Sequence, residues 1–365
     1  MQFRYKKITV KIGSNVLAKP DGTLNVPHIA HLVDQITFLH KNGVEVVLVS
    51  SGAVASGRAI LEPAKKTDAV SQRQLWAALG QVKLISHYSD FFSGHGLICA
   101  QVLTTKENFS DRIHYLNMKN CFTTLLENRV VPIVNENDTI SVTELMFTDN
   151  DELSGLIASM VNSQTLIILS NVNGVYNTHP QNENAELIRN INFDDFANED
   201  VETTSGQSTF GRGGMLTKLR IARKVAGDGI GVHIANGTVE NALINLLDSE
   251  KEFPHTYFVP NKKPSSGIKK WIGYSDDFTK GQVMINRGAL NALVSDKAVS
   301  LLPVGVVKII SEFKKGDLIK ITDETGAVVG IGKAQYGSDK IKPDPADKKQ
   351  KPLVHYDYLY IENKK

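Results

Sequence analysis

A lysine inside an otherwise apolar run is the first residue in this chain with an evident claim to chemistry. Ile8-Thr9-Val10-Lys11-Ile12 is closed by Gly13-Ser14. Burying an unpaired ammonium is costly, so Lys11 either reaches solvent at a strand end or meets an anion. A second lysine stands in an equally odd place. Residues 212–218 read Arg-Gly-Gly-Met-Leu-Thr-Lys, between the polar loop Ser205-Gly206-Gln207-Ser208-Thr209 and an apolar-periodic stretch. Glycines let a backbone come close to a ligand, and the N-terminus of the following helix offers unpaired N–H groups to an anion. Lys218 falls near that first turn, where the helix dipole disfavours a cation. A phosphate accounts for it better than helix stability does. The implied chemistry is two lysines, far apart in sequence, meeting across a polyphosphate.

Three polar segments supply candidate partners. Ser50-Ser51-Gly52-Ala53 follows the apolar run Val46–Val49 and offers hydroxyls and N–H groups to a carboxylate or phosphate. Taken alone, a plain strand-to-helix turn is the better explanation of it. Asn135-Glu136-Asn137-Asp138 follows Val130–Val134, and for it a turn and a site are equally open. Asp149-Asn150-Asp151-Glu152 precedes Leu153–Val161. Asp and Asn at a helix start are ordinary caps, yet four such residues exceed what capping needs. The ten histidines show no ligand or triad spacing, and Cys99 and Cys121 show no metal-type spacing. H-E-x-x-H, G-x-S-x-G and Walker A patterns are absent from the sequence.

Elements that would hold these residues can be read from periodicity. Strand-like runs at Ile8–Ile12, Val46–Val49, Leu97–Leu103, Val130–Val134, Leu166–Leu169 and Gly231–Ala235 alternate with helical stretches. One of these places Ile29, Leu32, Val33, Ile36 and Leu39 on one face, with Gly43 as its stop. Near-continuous apolar strands separated by helices predict a mostly parallel sheet covered on both faces. In such a sheet, ligands bind at the carboxyl ends of the strands, where Lys11, Ser51 and Asp138 fall. After about residue 247 the texture changes. Residues 253–272, rich in Lys, Pro and Ser, read as a linker between a first domain at 1–252 and a second at 273–365. The second domain shows short strands at Gln282–Ile285, Val306–Ile310, Leu318–Ile321, Val328–Ile331 and Tyr356–Ile361, with turns at Gly316-Asp317 and Thr325-Gly326.

Composition narrows the class. A chain of 365 residues exceeds what one core usually supports, so two domains are expected. Hydrophobic residues at 41% and charged residues at 22% are ordinary for a soluble globular protein. A net charge of +2 gives no global pull towards nucleic acid or a membrane. No apolar run approaches membrane-spanning length, and the short polar stretch after Lys6-Lys7 does not make a secretory signal. The sparse cysteines fit a reducing, cytoplasmic compartment.

Taken together, Val10-Lys11-Ile12-Gly13-Ser14, Val49-Ser50-Ser51-Gly52-Ala53, Val134-Asn135-Glu136-Asn137-Asp138, Asp149-Asn150-Asp151 and Gly213-Gly214-Met215-Leu216-Thr217-Lys218 resemble the amino acid kinase family. Asp111-Arg112 with Tyr115-Leu116-Asn117 looks like a substrate region of that family. The run from Gly288 through Ser300-Leu301-Leu302-Pro303-Val304-Gly305-Val306 to Gly316-Asp317 is similar to the PUA domain appended to some of its bacterial members. The resemblance implies a three-layer αβα sandwich with a mostly parallel sheet, followed by a small, mainly β PUA-like domain. It further implies ATP-dependent phosphorylation of the side-chain carboxylate of L-glutamate at the head of proline biosynthesis, with ATP and Mg²⁺ as cofactors.

By the same resemblance, Lys11 bridges the transferring phosphoryl group, Lys218 sits on the leaving side, and Asp151 orients both. Ser51, Asp138 and Asn150 match glutamate-binding positions, with Asp138 suited to the substrate ammonium. Lys11, Ser170, Asn171, Arg212, Gly213, Gly214, Met215, Leu216, Thr217 and Lys218 match nucleotide-binding positions. No protein side chain is assigned as a metal ligand. Two departures stand out: Ser170-Asn171 where the family often has Thr-Asp, and Arg212 where a small polar residue is common. The family also suggests feedback restraint by proline and a homo-oligomer, either dimer or tetramer. RNA binding by the second domain is not favoured, because no basic-aromatic surface is evident.

Overall fold

The computed structural model describes residues 3–62, 68–141, 147, 149–192, 214–262, 267–273, 279–295, 298–341 and 351–361. The chain divides into two compact units. One comprises Met1–Asn108 and Ile113–Pro264; the other comprises Phe109–Arg112 and Ser265–Lys365.

In chain order the first unit contains β1 (Lys7–Ile12), α1 (Ser14–Leu17), α2 (Val26–Lys41), β2 (Glu45–Ser50), α3 (Ala53–Arg58), α4 (Ala69–Gly94) and β3 (Cys99–Thr104). The short α5 (Glu107–Ser110) and α6 (Arg112–Glu127) lie where the chain passes between units. Then come β4 (Val131–Glu136), α7 (Asn150–Met160), β5 (Thr165–Ser170), β6 (Asn190–Asn192), α8 (Met215–Gly227), β7 (Gly231–Asn236), α9 (Ala242–Leu247) and β8 (His255–Val259). The strands form one eight-stranded sheet in the order β3-β4-β2-β1-β5-β7-β8-β6. All its pairings are parallel except β7 with β8.

Each face of this sheet has its own core. The strand period of two sends Ile167 and Leu169 of β5 into one core with Ile8, Val10, Ile29, Leu32 and Ile36, while Leu166 and Ile168 enter the other with Leu219, Ile221 and Val225. The layering is thus α2 and α9 on one side and α8 on the other, the three-layer sandwich that the alternation of strands and helices predicts. Helix α2 shows how local sequence sets its bounds. The Asn25 side chain accepts from the His28 N–H at 3.3 Å, Pro27 sits in the first turn, and Gly43 follows the cap at φ +85°.

Helices α3 and α4 pack backbone to backbone. A Cβ added at Gly80 would lie 1.8 Å from the Ala53 carbonyl oxygen, and one at Gly57 would lie 1.8 Å from that of Trp76. Only glycine permits this approach, and it fixes the start of α3 beside the end of β2.

The stretch 253–272 differs from the linker expected of it. Residues 255–259 form β8 inside the main sheet, with Thr256 and Phe258 buried. The Thr256 hydroxyl donates to the Ile188 carbonyl at 2.7 Å and accepts from the Val175 N–H at 2.8 Å. A five-residue β-prone alternation between Pro254 and Pro260 was outweighed by the Lys- and Pro-rich texture around it.

The second unit contains α10 (Gly267–Gly273), β9 (Gly281–Ile285), α11 (Arg287–Leu293), β10 (Val306–Ser311), β11 (Leu318–Thr322), β12 (Val328–Ala334) and β13 (Val354–Ile361). Its five strands make a mainly antiparallel sheet in the order β10-β9-β11-β12-β13, over a core that includes Val283, Ile285, Ile319, Ile321 and Leu359. Gly316 and Gly326 take φ of +94° and +88° at the two turns expected from sequence.

Candidate active site

Parallel pairing brings the carboxyl ends of β1, β2, β4 and β5 to one rim, and the polar segments that follow them line a cavity of about 800 Å³ there. At its floor is a buried charge cluster. Asp151, in the first turn of α7, has a fully buried side chain. Its Oδ1 lies 2.5 Å from Lys11 Nζ and its Oδ2 lies 3.0 Å from Lys218 Nζ. Both lysines are themselves buried, at 5% and 8% exposure, and both line the cavity. Burial alone would raise the Asp151 carboxyl, but the two ammonium charges override it and hold it below the ordinary carboxylate range.

Local structure explains each position. Lys11 is the penultimate residue of β1, and the chain then turns through Gly13, where a Cβ would sit 3.2 Å from the Leu169 carbonyl oxygen and 3.6 Å from Lys11 Nζ. Lys218 lies one turn into α8, whose N-cap, Gly214, makes no side-chain cap bond. Two cations sharing one carboxylate leave a net charge of +1, set at a helix N-terminus. That arrangement is built to receive a polyanion.

Asp149 caps α7. Its Oδ1 accepts from the N–H groups of Asp151 at 2.8 Å and Glu152 at 3.1 Å. Its Oδ2 is buried without a hydrogen-bond partner among the described residues. Burial, reinforced by the charge of Asp151, pushes its carboxyl up to about 6.

On the β2 and β4 side of Lys11 the cavity wall is an amide and hydroxyl network. The Asn150 amide donates to Ser51 Oγ at 3.0 Å, to Asn135 Oδ1 at 3.0 Å and to the Ser50 carbonyl at 3.3 Å. Gly52, between Ser51 and α3, takes φ +108°, which only glycine adopts without strain. The loop after β4 is braced from α4: Gln81 Oε1 accepts from the Asn135 amide at 2.8 Å, and the Gln74 amide donates to the Thr139 carbonyl at 2.7 Å. Arg73 of α4 donates to Asp138 Oδ1 through Nη2 at 2.5 Å and Nε at 3.2 Å.

The structure thus brings together Lys11, Asp151, Lys218, Ser51, Asp138 and Asn150, and places Ser170, Asn171, Gly214 and Met215 around the β5 side of the same cavity. Leu216, 54% exposed, and Thr217 do not line it, because the helical turn carries them to other faces of α8. Arg212 and Gly213 lie outside the described residues. Asp111, Arg112, Tyr115 and Asn117 are not among the lining residues.

Sequence reasoning left out Arg73, and it named Asn135 and Asp149 only as members of polar segments, without a role of their own. For Arg73 there was a usable signal. Arg73, Ala77, Gly80, Gln81 and Leu84 recur at helical spacing, so polar residues share a face with small and apolar ones. Among the described residues, no group of three or more His, Cys, Asp or Glu could hold a metal, and no helix is long and apolar enough to cross a membrane.

A rim of parallel strands, a lysine pair held by one carboxylate and an amide-lined recess together define a phosphotransferase site of the amino acid kinase type. The chain belongs to the amino acid kinase family: the model of that family matches residues 6–236, and a PUA-domain model matches residues 281–344. It is 54% identical to a glutamate 5-kinase of Bacteroides thetaiotaomicron, over 99% of this chain and 100% of that one. It is 46% identical to a glutamate 5-kinase of Chlorobaculum tepidum, over 98% of each. The fold of the first unit is shared with a carbamate kinase from Giardia lamblia bound to AMP-PNP, at a TM-score of 0.52 and 18% identity, over 71% of this chain and 99% of that one.

Proposed function

We propose that this chain transfers the γ-phosphoryl group of ATP to the side-chain carboxylate of L-glutamate, forming L-glutamyl 5-phosphate and ADP, the first step of proline biosynthesis. The observation that carries the reading is the buried Lys11–Asp151–Lys218 cluster at the sheet rim. The full-length similarity to glutamate 5-kinases supports the choice of substrate.

The reaction forms a bond between a carboxylate oxygen and the γ-phosphorus and breaks the bond to the β,γ-bridging oxygen. A glutamate side chain has a reference pKa of about 4.3, so the nucleophile is already anionic and no general base is required. The difficulty is repulsion. At about 4 Å and an effective dielectric of about 20, each pair of like charges costs about 4 kcal/mol. Lys11 and Lys218 offset this, and they stabilise the charge that spreads over the phosphoryl oxygens and the departing ADP. Asp151 keeps both ammonium groups aimed at the same point. With two lysine partners it has no role as a base.

Sheet order supports a division of the cavity. Asp138, Asn150 and Ser51 lie over β4 and β2, Lys11 lies on β1, and Ser170, Asn171 and Gly214 lie over β5 and α8. We assign the first group to glutamate and the second to the nucleotide, with the reacting atoms between them above Lys11. Mg²⁺ would arrive on the ATP phosphates, which with water supply most of its ligands in such sites. The unpartnered Asp149 Oδ2 is the oxygen we assign to reach it. Bound there, the ion neutralises phosphate charge. Proline acting at the glutamate recess, a homo-oligomeric state and a cytoplasmic location belong to the same reading. Glutamate-competitive inhibition by proline and sedimentation mass check the first two.

The direct test is ADP release coupled to hydroxylamine trapping of the acyl phosphate. We expect a hydroxamate with L-glutamate and none with L-aspartate. Product with aspartate or an N-acetylated amino acid, but not with glutamate, overturns the assignment.

A further inference from the structure

The Arg73–Asp138 pair is more than the proposed reaction needs. Asp138 alone would suffice for a substrate ammonium. Instead it is presented together with a guanidinium, both lining the cavity, Asp138 buried and Arg73 about a third exposed. Arg73 commits only Nε and Nη2, both to the same oxygen, Asp138 Oδ1. Among the described residues, Nη1 has no hydrogen-bond partner, so the second edge of the planar fork is left uncommitted on a residue that lines the cavity.

A guanidinium edge matches a carboxylate through two parallel N–H···O bonds. Beside it, Asp138 offers an acceptor to an ammonium. The two side chains present an anion and a cation side by side, the inverse of the zwitterionic end of an α-amino acid. Their placement fits as well. Asp138 follows β4, two strands from β1 and its Lys11, a span of about 10 Å. An amino acid with a second carboxylate two methylenes away reaches across most of that span, bringing its far carboxylate to the lysine pair.

Resting on the glutamate reading above, we propose that Arg73 binds the α-carboxylate of the substrate and sets the requirement for an α-amino acid. In that arrangement Asp138 takes the α-ammonium while the second edge of the guanidinium takes the α-carboxylate. α4 holds this arrangement in place. Arg73, Gln74 and Gln81 all brace the β4 loop, and Gly80 locks α4 against α3.

Kinetics with L-glutamate and inhibition by 4-aminobutyrate, which lacks only the α-carboxylate, test this. In Arg73→Met we expect the glutamate KM to rise about a hundredfold with kcat within about threefold, and the 4-aminobutyrate inhibition constant to stay within about threefold of the unsubstituted enzyme. Arg73→Lys, which keeps the charge and loses the fork, should fall between. A residue that merely braces Asp138 would weaken both ligands in parallel. Parallel weakening, or an unchanged glutamate KM, overturns the proposal while leaving glutamate phosphorylation intact. No glutamate-dependent ADP release from the unsubstituted enzyme removes the reading on which it rests.

Discussion

The two sheets of this protein treat charge in opposite ways. In the first unit, parallel strands all end on one rim, so residues from positions 11, 51, 138, 151 and 218 converge although the chain between them spans more than half its length. In the second unit, mainly antiparallel strands alternate their ends, and neighbouring strand termini face opposite directions. Its core is apolar, while the edge strand β10 leaves Val307, Ile309 and Ile310 exposed at 57%, 37% and 44%. Two register shifts against β9 break the regularity of that edge, a common device against further strand pairing. Parallel topology concentrates functional groups, and two buried cations there share one buried carboxylate; the antiparallel unit has no comparable cluster among its described residues.

Breaking the charge balance on the parallel rim should have the largest effect. Asp151→Asn leaves two buried ammonium groups without their shared anion, which in buried pairs costs about 3–5 kcal/mol. We expect a lower unfolding midpoint in urea together with a loss of turnover of at least about a thousandfold. Lys218→Ala should separate the two consequences. It removes transition-state charge stabilisation, lowering kcat by about a hundred- to a thousandfold, with the glutamate KM changed far less. Equal losses of stability in the two variants, or an unchanged kcat in Lys218→Ala, would contradict the picture of a lysine pair organised by one carboxylate.

A second buried polar cluster lies away from the cavity and sharpens the comparison through pH. His233 of β7 is stacked on Tyr257 at 4.6 Å, and its Nε2 lies 3.1 Å from the Tyr5 hydroxyl. Burial, with lesser contributions from His255 and Arg4, pushes its imidazole down from 6.5 to about 3. The unfolded chain therefore takes up a proton below about pH 6.5 that the folded chain refuses until about pH 3. Stability contributed by this site is complete above pH 6.5 and drains away as pH falls towards 3, by about 1.4 kcal/mol per unit. Asp149, whose folded carboxyl titrates at about 6, works the other way: its proton binding favours the folded state at low pH and is lost as pH rises through 6. Urea unfolding at pH 7 and pH 4.5 measures the balance. The loss between the two should shrink by about 2 kcal/mol in His233→Phe and grow in Asp149→Asn.

The smallest effect is expected on the exposed edge of the second unit. Val307→Lys places a charge where the side chain is already in solvent, so stability should change by less than about 0.5 kcal/mol and turnover should not change. A measurable fall in glutamate-dependent turnover would give the second unit a part in catalysis that its own structure does not display.

Much of the site was legible because its residues break local rules. A lysine in an apolar strand and another against a helix dipole are visible without coordinates. So are the paired polar residues after β4 and before α7, and so is the three-layer order of strands and helices. What escaped notice obeys its local rules. Arg73 is an unremarkable residue of a long helix until α4 is laid against the β4 loop. Asp149 was visible as part of a polar segment and is a cap; that its second oxygen is left buried and unpartnered was not. β8 escaped because a five-residue alternation is too short to outweigh its surroundings.

The sequence by itself determined the inventory: two lysines, an aspartate and their amide and hydroxyl companions, carried on strands and helices whose periods can be counted. The family resemblance already pointed to Asp151 as the residue that orients Lys11 and Lys218; tertiary structure alone decided that Asp138 is presented with Arg73 and that Leu216 and Thr217 turn away. Periodicity reports which face of an element is buried. It does not report which distant element lies across from it, and ion pairing depends on that distance.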